Sequence, residues 1–251
     1  IYTWACDWIL GDEILNKVGG IWVNDEMDKG NSWVWDSWIS WLSAADIKTD
    51  GDTGKGLWSN AWYAIRKANL GLENMENLTD ATPEQRDIIK GQLLFFRAFY
   101  HFELMTYWGG MPYIDKAFSS ADKLDYPRLN CHETADRIAQ DLREAADLLP
   151  ADWDKTATGK LTLGKNQLRV SKITALGYLG KNYLYAGSPL LNYESTGNKN
   201  FDTEYCRKAA EVFAELLKYV DKQETQVKLI DWENYSFLFY SHGKNLSLIH
   251  I

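Results

Sequence analysis

The feature that most restricts this chain is its spacing of apolar residues, which is helical almost from end to end. Trp58, Trp62, Ile65, Asn69, Leu72 and Met75 recur at three- and four-residue steps, so they share one face of a helix. Asn69 is a polar break in that stripe. Thr82-Pro83-Glu84-Gln85 reads as a helix start, with a capping box between Thr82 and Gln85 and a proline at the first helical position. Ile89, Leu93, Phe96, Tyr100, Leu104 and Tyr107 then form a predicted stripe. Phe95, Phe99 and Phe102 widen it until most of the circumference is apolar, which implies burial on two sides. Gly109-Gly110 and Pro112 close that helix.

After a loop with Pro127, Asn130 and Glu133 offer a second capping box. Ala135, Ile138, Leu142, Ala145 and Leu149 form its stripe, and Pro150 ends it. Residues 151–170 are polar, uneven and rich in Gly and Thr, and read as an insertion with a short hairpin. Ser171 restarts the pattern through Ala175, Leu179, Asn182 and Ala186, and Gly187-Ser188-Pro189 stops it. Residues 190–200 read as loop. Asp202, as N-cap, introduces Tyr205, Ala209, Val212, Leu216 and Tyr219. Small residues at the contact positions of successive helix pairs are the grammar of tetratricopeptide-type packing. The expected fold is therefore all-α, a scaffold of tetratricopeptide-like helix pairs with long decorated loops. Three regions are expected: a Trp-rich N-terminal part over 1–57, the helical scaffold over 58–220, and the start of a C-terminal region over 221–251.

Composition excludes several classes. With 27 Lys+Arg against 35 Asp+Glu the chain carries −8, a poor basis for binding nucleic acid. No run approaches the length of a membrane-spanning helix. Cys6, Cys131 and Cys206 are too few and too dispersed for a disulfide framework or a zinc site. The histidines, His101, His132, His242 and His250, form no metalloprotease or di-iron pattern, and His101 reads as a packed helix residue. Gly51-Asp52-Thr53-Gly54-Lys55-Gly56 lacks the spacing of a phosphate loop, and Asp50 with Asp52 lacks the further ligands of a calcium loop. Asp25, Glu26 and Asp28 read as a solvated acidic loop, and no carboxylate pair is marked for glycoside hydrolysis. No catalytic residue, cofactor or metal is expected.

Tryptophan is the exception to this plainness. Nine of the 12 precede residue 63. Trp33, Trp35, Trp38 and Trp41 lie within nine residues, separated by Asp36, Ser37 and Ser40. An indole face is flat and apolar and can stack on the C–H face of a pyranose, while its N–H and neighbouring polar groups meet hydroxyls. These four are the candidate ligand-binding residues; the competing reading is that they pack the outside of the scaffold.

The run Gln92-Leu93-Leu94-Phe95-Phe96-Arg97-Ala98-Phe99-Tyr100-His101-Phe102-Glu103-Leu104, leading into Tyr107-Trp108-Gly109-Gly110-Met111-Pro112, resembles the signature of the SusD/RagB family. Trp62 to Asn69, Asp141 to Pro150, Arg169 to Lys172 and Tyr183 to Asn192 resemble further segments of that family in the same order. The resemblance implies a surface-exposed outer-membrane lipoprotein. Such a protein binds an oligosaccharide or other nutrient without catalysis and delivers it to a SusC-like TonB-dependent transporter. It also implies that the matched helices are chiefly structural, with Arg97 reaching a carbonyl or carboxylate between helices and Asn69 supporting a helix contact. Family members are longer, so the N-terminus, its lipid-bearing Cys and the C-terminal region are expected to lie outside this sequence. Cys6, within Thr-Trp-Ala-Cys-Asp, lacks the lipobox pattern. The alternative function is a helical-repeat protein–protein interaction module without glycan binding.

Overall fold

The computed structural model describes residues 57–235. Their regular structure is all helical, with no strand among the described residues. The compact units of the chain divide between Tyr63 and Ala64, inside the first described helix, α1 (Leu57–Glu73). The packing below concerns the second unit.

Helix α2 (Pro83–Trp108) begins as the sequence predicts. Thr82 Oγ1 accepts from the Gln85 backbone N–H at 3.2 Å, and Gln85 Oε1 accepts from the Thr82 N–H at 2.9 Å. Its buried face is the predicted one only in part: Leu104, Phe95 and Phe102 are buried as expected, but the rest of the stripe is turned away from the centre of the core. Ile88, Gly91, Leu94, Phe95, Ala98, Phe102 and Met105 face inward, while Phe96 and Tyr107 are exposed. The reason is steric. A Cβ on Gly91 would lie 2.8 Å from Leu149 Cγ, so the small residues mark where the next helix presses closest, and the large aromatics flank that line. Gly109 ends α2 at φ +75°, a left-handed conformation suited to glycine, and its N–H bonds the Met105 carbonyl.

Residues 109–130 then form a strap without regular structure. Arg128 pins it, donating to the Gly110 and Trp108 carbonyls at 2.7 and 2.8 Å. Helix α3 (Cys131–Leu148) starts with the predicted box between Asn130 and Glu133 and buries the whole predicted stripe from Ala135 to Leu149.

Residues 151–170 contain no hairpin. They fold as a 3-10 turn (Trp153–Lys155), the one-turn helix α4 (Ala157–Lys160) and further turns. Thr156 caps the start of α4 by accepting from the Gly159 N–H at 2.8 Å, and Glu84, on α2, reinforces it: its carboxylate accepts from the Ala157 and Thr158 backbone N–H groups and the Thr158 hydroxyl. Helix α5 (Lys172–Ala186) buries Ala175, Leu179, Asn182 and Ala186, the predicted face. Residues 190–200 are likewise not all loop. Pro189 occupies the first turn of helix α6 (Pro189–Thr196), and Gly197 closes it at φ +78°. Helix α7 (Thr203–Asp221) opens under Asp202, whose Oδ1 accepts from the Glu204 and Tyr205 N–H groups.

One core runs through the long helices, including Leu94 and Phe102 of α2, Ile138 and Leu142 of α3, Leu176 and Leu179 of α5, and Leu216 of α7. The major packings are α2 on α3, α3 on α5 and α5 on α7, the near-neighbour stacking of a helical repeat. Small residues receive large ones at these joints. A Cβ on Gly180 of α5 would sit 2.5 Å from the Phe213 ring of α7, and one on Gly71 of α1 would sit 2.7 Å from a Leu93 methyl of α2.

Candidate functional site

Three strongly perturbed titratable groups, Arg97, His101 and Tyr113, meet where α1, α2, α3 and the strap converge. Arg97 of α2 grips Asp141 of α3 with two bonds, Nε to Oδ2 at 2.5 Å and Nη2 to Oδ1 at 2.8 Å. Its Nη1 donates to Asn69 Oδ1 of α1 at 3.1 Å and to the Asp115 carbonyl of the strap at 3.3 Å. Asn69 Nδ2 in turn donates to the Ile114 and Lys116 carbonyls, both at 3.0 Å. Tyr113 donates its hydroxyl to Asp141 Oδ2 at 2.5 Å. Below it lies His101, ring against ring with Tyr113 at 4.0 Å. The Ile114 N–H donates to His101 Nε2, so the proton sits on Nδ1 and is given to the Arg97 carbonyl at 2.8 Å.

The electrostatics follow from burial. Arg97, Asp141 and Tyr113 are at most 9% exposed, and Asn69 and His101 are fully enclosed. Desolvation opposes the Arg97 charge, but the Asp141 carboxylate outweighs it and holds the guanidinium protonated more firmly than usual. Burial first, and Asp141 second, push the Tyr113 hydroxyl well above its ordinary range. Burial also drives His101 down to about 3, with the Arg97 charge adding to that effect and the bond to the Arg97 carbonyl opposing it. The cluster is thus a permanent cation, a neutral imidazole and a neutral phenol. None of these three changes protonation near neutral pH, and each is engaged by protein atoms. Such a set fastens helices together; it does not move protons to a substrate.

The sequence pointed to Arg97 and Asn69 as inter-helix groups, and both act so. It did not pick out Asp141 or Tyr113, which lie 44 and 16 residues from Arg97 and carry no local signal of the partnership. The ligand candidates Trp33, Trp35, Trp38 and Trp41 lie outside the described residues, as do Cys6 and the Asp50–Gly56 stretch. Cys131 is buried at the start of α3, where desolvation first and Glu194 second push its thiol up to about 12, so it is inert as a nucleophile. Among the described residues no group of three or more His, Cys, Asp or Glu could hold a metal ion, and no helix is long and apolar enough to cross a membrane.

The model of the SusD-like family, described as starch-binding associating with outer membrane, matches residues 17–184. The chain belongs to the SusD-like family. SusD-like protein P2 of Formosa agariphila is 30% identical over 131 residues, which cover 52% of this chain and 24% of that protein. SusD-like protein P38 of the same organism is 25% identical over 129 residues, covering 51% and 22%. The matched part is thus about a quarter of the length of these relatives. Among solved structures, a SusD-like protein from Bacteroides fragilis superposes with a TM-score of 0.55 at 23% identity, covering 72% of this chain and 30% of that one. A SusD-like carbohydrate binding protein from Bacteroides vulgatus gives 0.52 at 21% identity, covering 78% and 36%. At these identities the likeness shows the SusD-like helical fold. The Arg97 cluster sits inside the matched range and inside the frame, consistent with a structural role.

Proposed function

We propose that the whole protein binds an oligosaccharide or other nutrient at the outer-membrane surface, without catalysis, and hands it to a partner SusC-like TonB-dependent transporter. The observation that carries this reading is the family match over residues 17–184, to a family described as starch-binding and associated with the outer membrane. The chemistry of the described residues is compatible with it, since their buried ionisable groups serve packing rather than turnover. A lipid anchor outside this sequence would hold the protein at the cell surface. In this reading residues 1–57 supply ligand contacts, 58–220 the frame, and 221–251 the beginning of a further region. Trp33, Trp35, Trp38 and Trp41 form the sugar platform, where stacking on indole faces replaces the water lost from the apolar side of each pyranose.

Affinity electrophoresis in gels containing single polysaccharides tests this. The full-length protein is expected to be retarded by at least one glycan, and replacing the four tryptophans by Ala is expected to abolish the retardation. Retardation that survives the substitutions removes the tryptophans from the site. No retardation by any glycan, together with capture of a soluble protein partner, favours the helical-repeat interaction module instead. Release of product from a labelled oligosaccharide would make the protein a glycoside hydrolase and overturn the non-catalytic reading.

A further inference from the structure

Residues 155–172 depart in charge from the rest of the chain. They contain Lys155, Lys160, Lys165, Arg169 and Lys172 and no Asp or Glu, in a protein whose formal charge is −8. The same stretch projects three leucines into solvent: Leu161 is 81% exposed, Leu163 60% and Leu168 80%. Around them only Thr162, partly, and Asn166 turn inward between Lys160 and Arg169.

The base beneath this tip is firmly built. Asn166 is buried and donates to Asp154 Oδ1 at 2.6 Å and to the Gly159 carbonyl at 2.8 Å, while its Oδ1 accepts from the Thr162 hydroxyl at 2.7 Å. Trp153 is buried, donates its indole N–H to the Val170 carbonyl at 2.9 Å, and carries the Arg169 guanidinium over its ring at 4.8 Å. Glu84 ties the start of α4 to α2. The three leucines are thus exposed on a well-anchored base. Exposed singly, a leucine needs no explanation; three within eight residues, interleaved with Lys160, Lys165 and Arg169, make a stretch of defined chemistry.

We infer that the Lys160–Arg169 turn docks on an anionic lipid surface, the leucines entering the boundary between headgroups and acyl chains and Lys160, Lys165 and Arg169 meeting headgroup phosphates. The leucines are exposed at the end of α4 and on the two turns that follow it, among cations and no carboxylates, a pairing that suits partition into an anionic lipid layer. Lysine stems add apolar reach while their ammonium groups stay at the headgroup level. Among the described residues neither Lys165 nor Arg169 pairs with a carboxylate, so both charges remain available. Because a chain of −8 is repelled as a whole by an anionic membrane, any attraction must be local to such a turn. The inference rests on the turn itself and not on the glycan reading.

Co-sedimentation of the full chain with vesicles tests it. Vesicles of equal parts phosphatidylglycerol and phosphatidylcholine are expected to bind the protein, and vesicles of phosphatidylcholine alone to bind it far less. K160Q with K165Q should weaken binding about fivefold per cation, roughly 25-fold together. L161S, L163S and L168S together should weaken it by about tenfold or more. K199Q with K222Q, which remove exposed lysines elsewhere, should leave binding unchanged. These side chains are exposed, so far-UV circular dichroism should show unaltered helix in every variant. Equal binding to both vesicles, or full binding by either loop variant, overturns the inference. So does binding of soluble polyglutamate through the same lysines with no vesicle binding, which would assign the turn to an acidic protein partner.

Discussion

The joint made by Arg97 and Asp141 predicts a strong, measurable coupling. Replacing Arg97 by Met removes four donated bonds and leaves the Asp141 carboxylate, 7% exposed, with only the Tyr113 hydroxyl from the cluster. A buried charge stripped of its partner costs about 3–5 kcal/mol. Replacing Asp141 by Leu strands the guanidinium with neutral acceptors on Asn69 and Asp115 and should cost a similar amount. If the two sites were independent, the double variant would lose about 6–10 kcal/mol, comparable with the whole stability of an ordinary domain. Because the two charges are lost together, the double variant should instead lose about 2–6 kcal/mol. Its remaining cost arises from Asn69 and Tyr113, each left with an unmade bond worth about 1–3 kcal/mol. Urea unfolding followed by far-UV circular dichroism gives the four free energies of the cycle. Should either single variant fail to fold, R97K provides a milder corner: it keeps the charge but loses the two-pronged grip on Asp141. Additivity within about 0.5 kcal/mol would refute the claim that these residues form one unit.

Two further outcomes follow from buried groups. His101 titrates near 3 in the folded protein because of burial, against about 6.5 when unfolded, so the unfolded chain binds the extra proton between those values. Stability should therefore be full above about pH 6.5 and fall as pH drops toward 3, with a slope near 1.4 kcal/mol per pH unit from this residue; H101Q should flatten that part of the urea-midpoint profile, and an unchanged slope would refute the assignment. At the α5–α7 joint, G180A should cost about 1–3 kcal/mol because its Cβ would meet the Phe213 ring at 2.5 Å, and pairing it with F213L should recover part of that loss. A thermal midpoint unmoved by G180A would show that the two helices part more easily than their packing implies.

What the sequence disclosed depended on how far each interaction reaches along the chain. The caps at Thr82, Asn130 and Asp202 close within three residues, so residue type and spacing were enough to find them. The α3 and α5 faces were legible because each carries a single clean stripe. On α2 the stripe was ambiguous, since aromatics surround the helix; Gly91 and Ala98 decide its orientation, and small residues carry little weight in a hydrophobic pattern. Residues 151–170 carry no apolar stripe, and their turns rest on polar side-chain bonds, local ones through Thr156 and Asn166 and a distant one to Glu84, that hydrophobic periodicity does not register. For α6, the signals were present in Ser188-Pro189 and Gly197, but proline both ends one helix and begins another, and only the first meaning was read. Within the Arg97 cluster, a polar residue on a helix face marks itself as special without naming its partner.

The self-contained helix ends have a consequence for how such a protein changes over time. Thr82, Asn130, Ser171 and Asp202 each bond the start of their helix with their own side chains, so those starts draw little on the segments before them. Lengthening a connection then costs mainly chain-closure entropy, about 0.6 kcal/mol for each doubling of its length. The stack can keep its geometry while its connections change length outside the positions, such as Tyr113 and Asn166, that bond back into it. A lineage built this way can lengthen or shorten the connections between its helices while the stack itself persists.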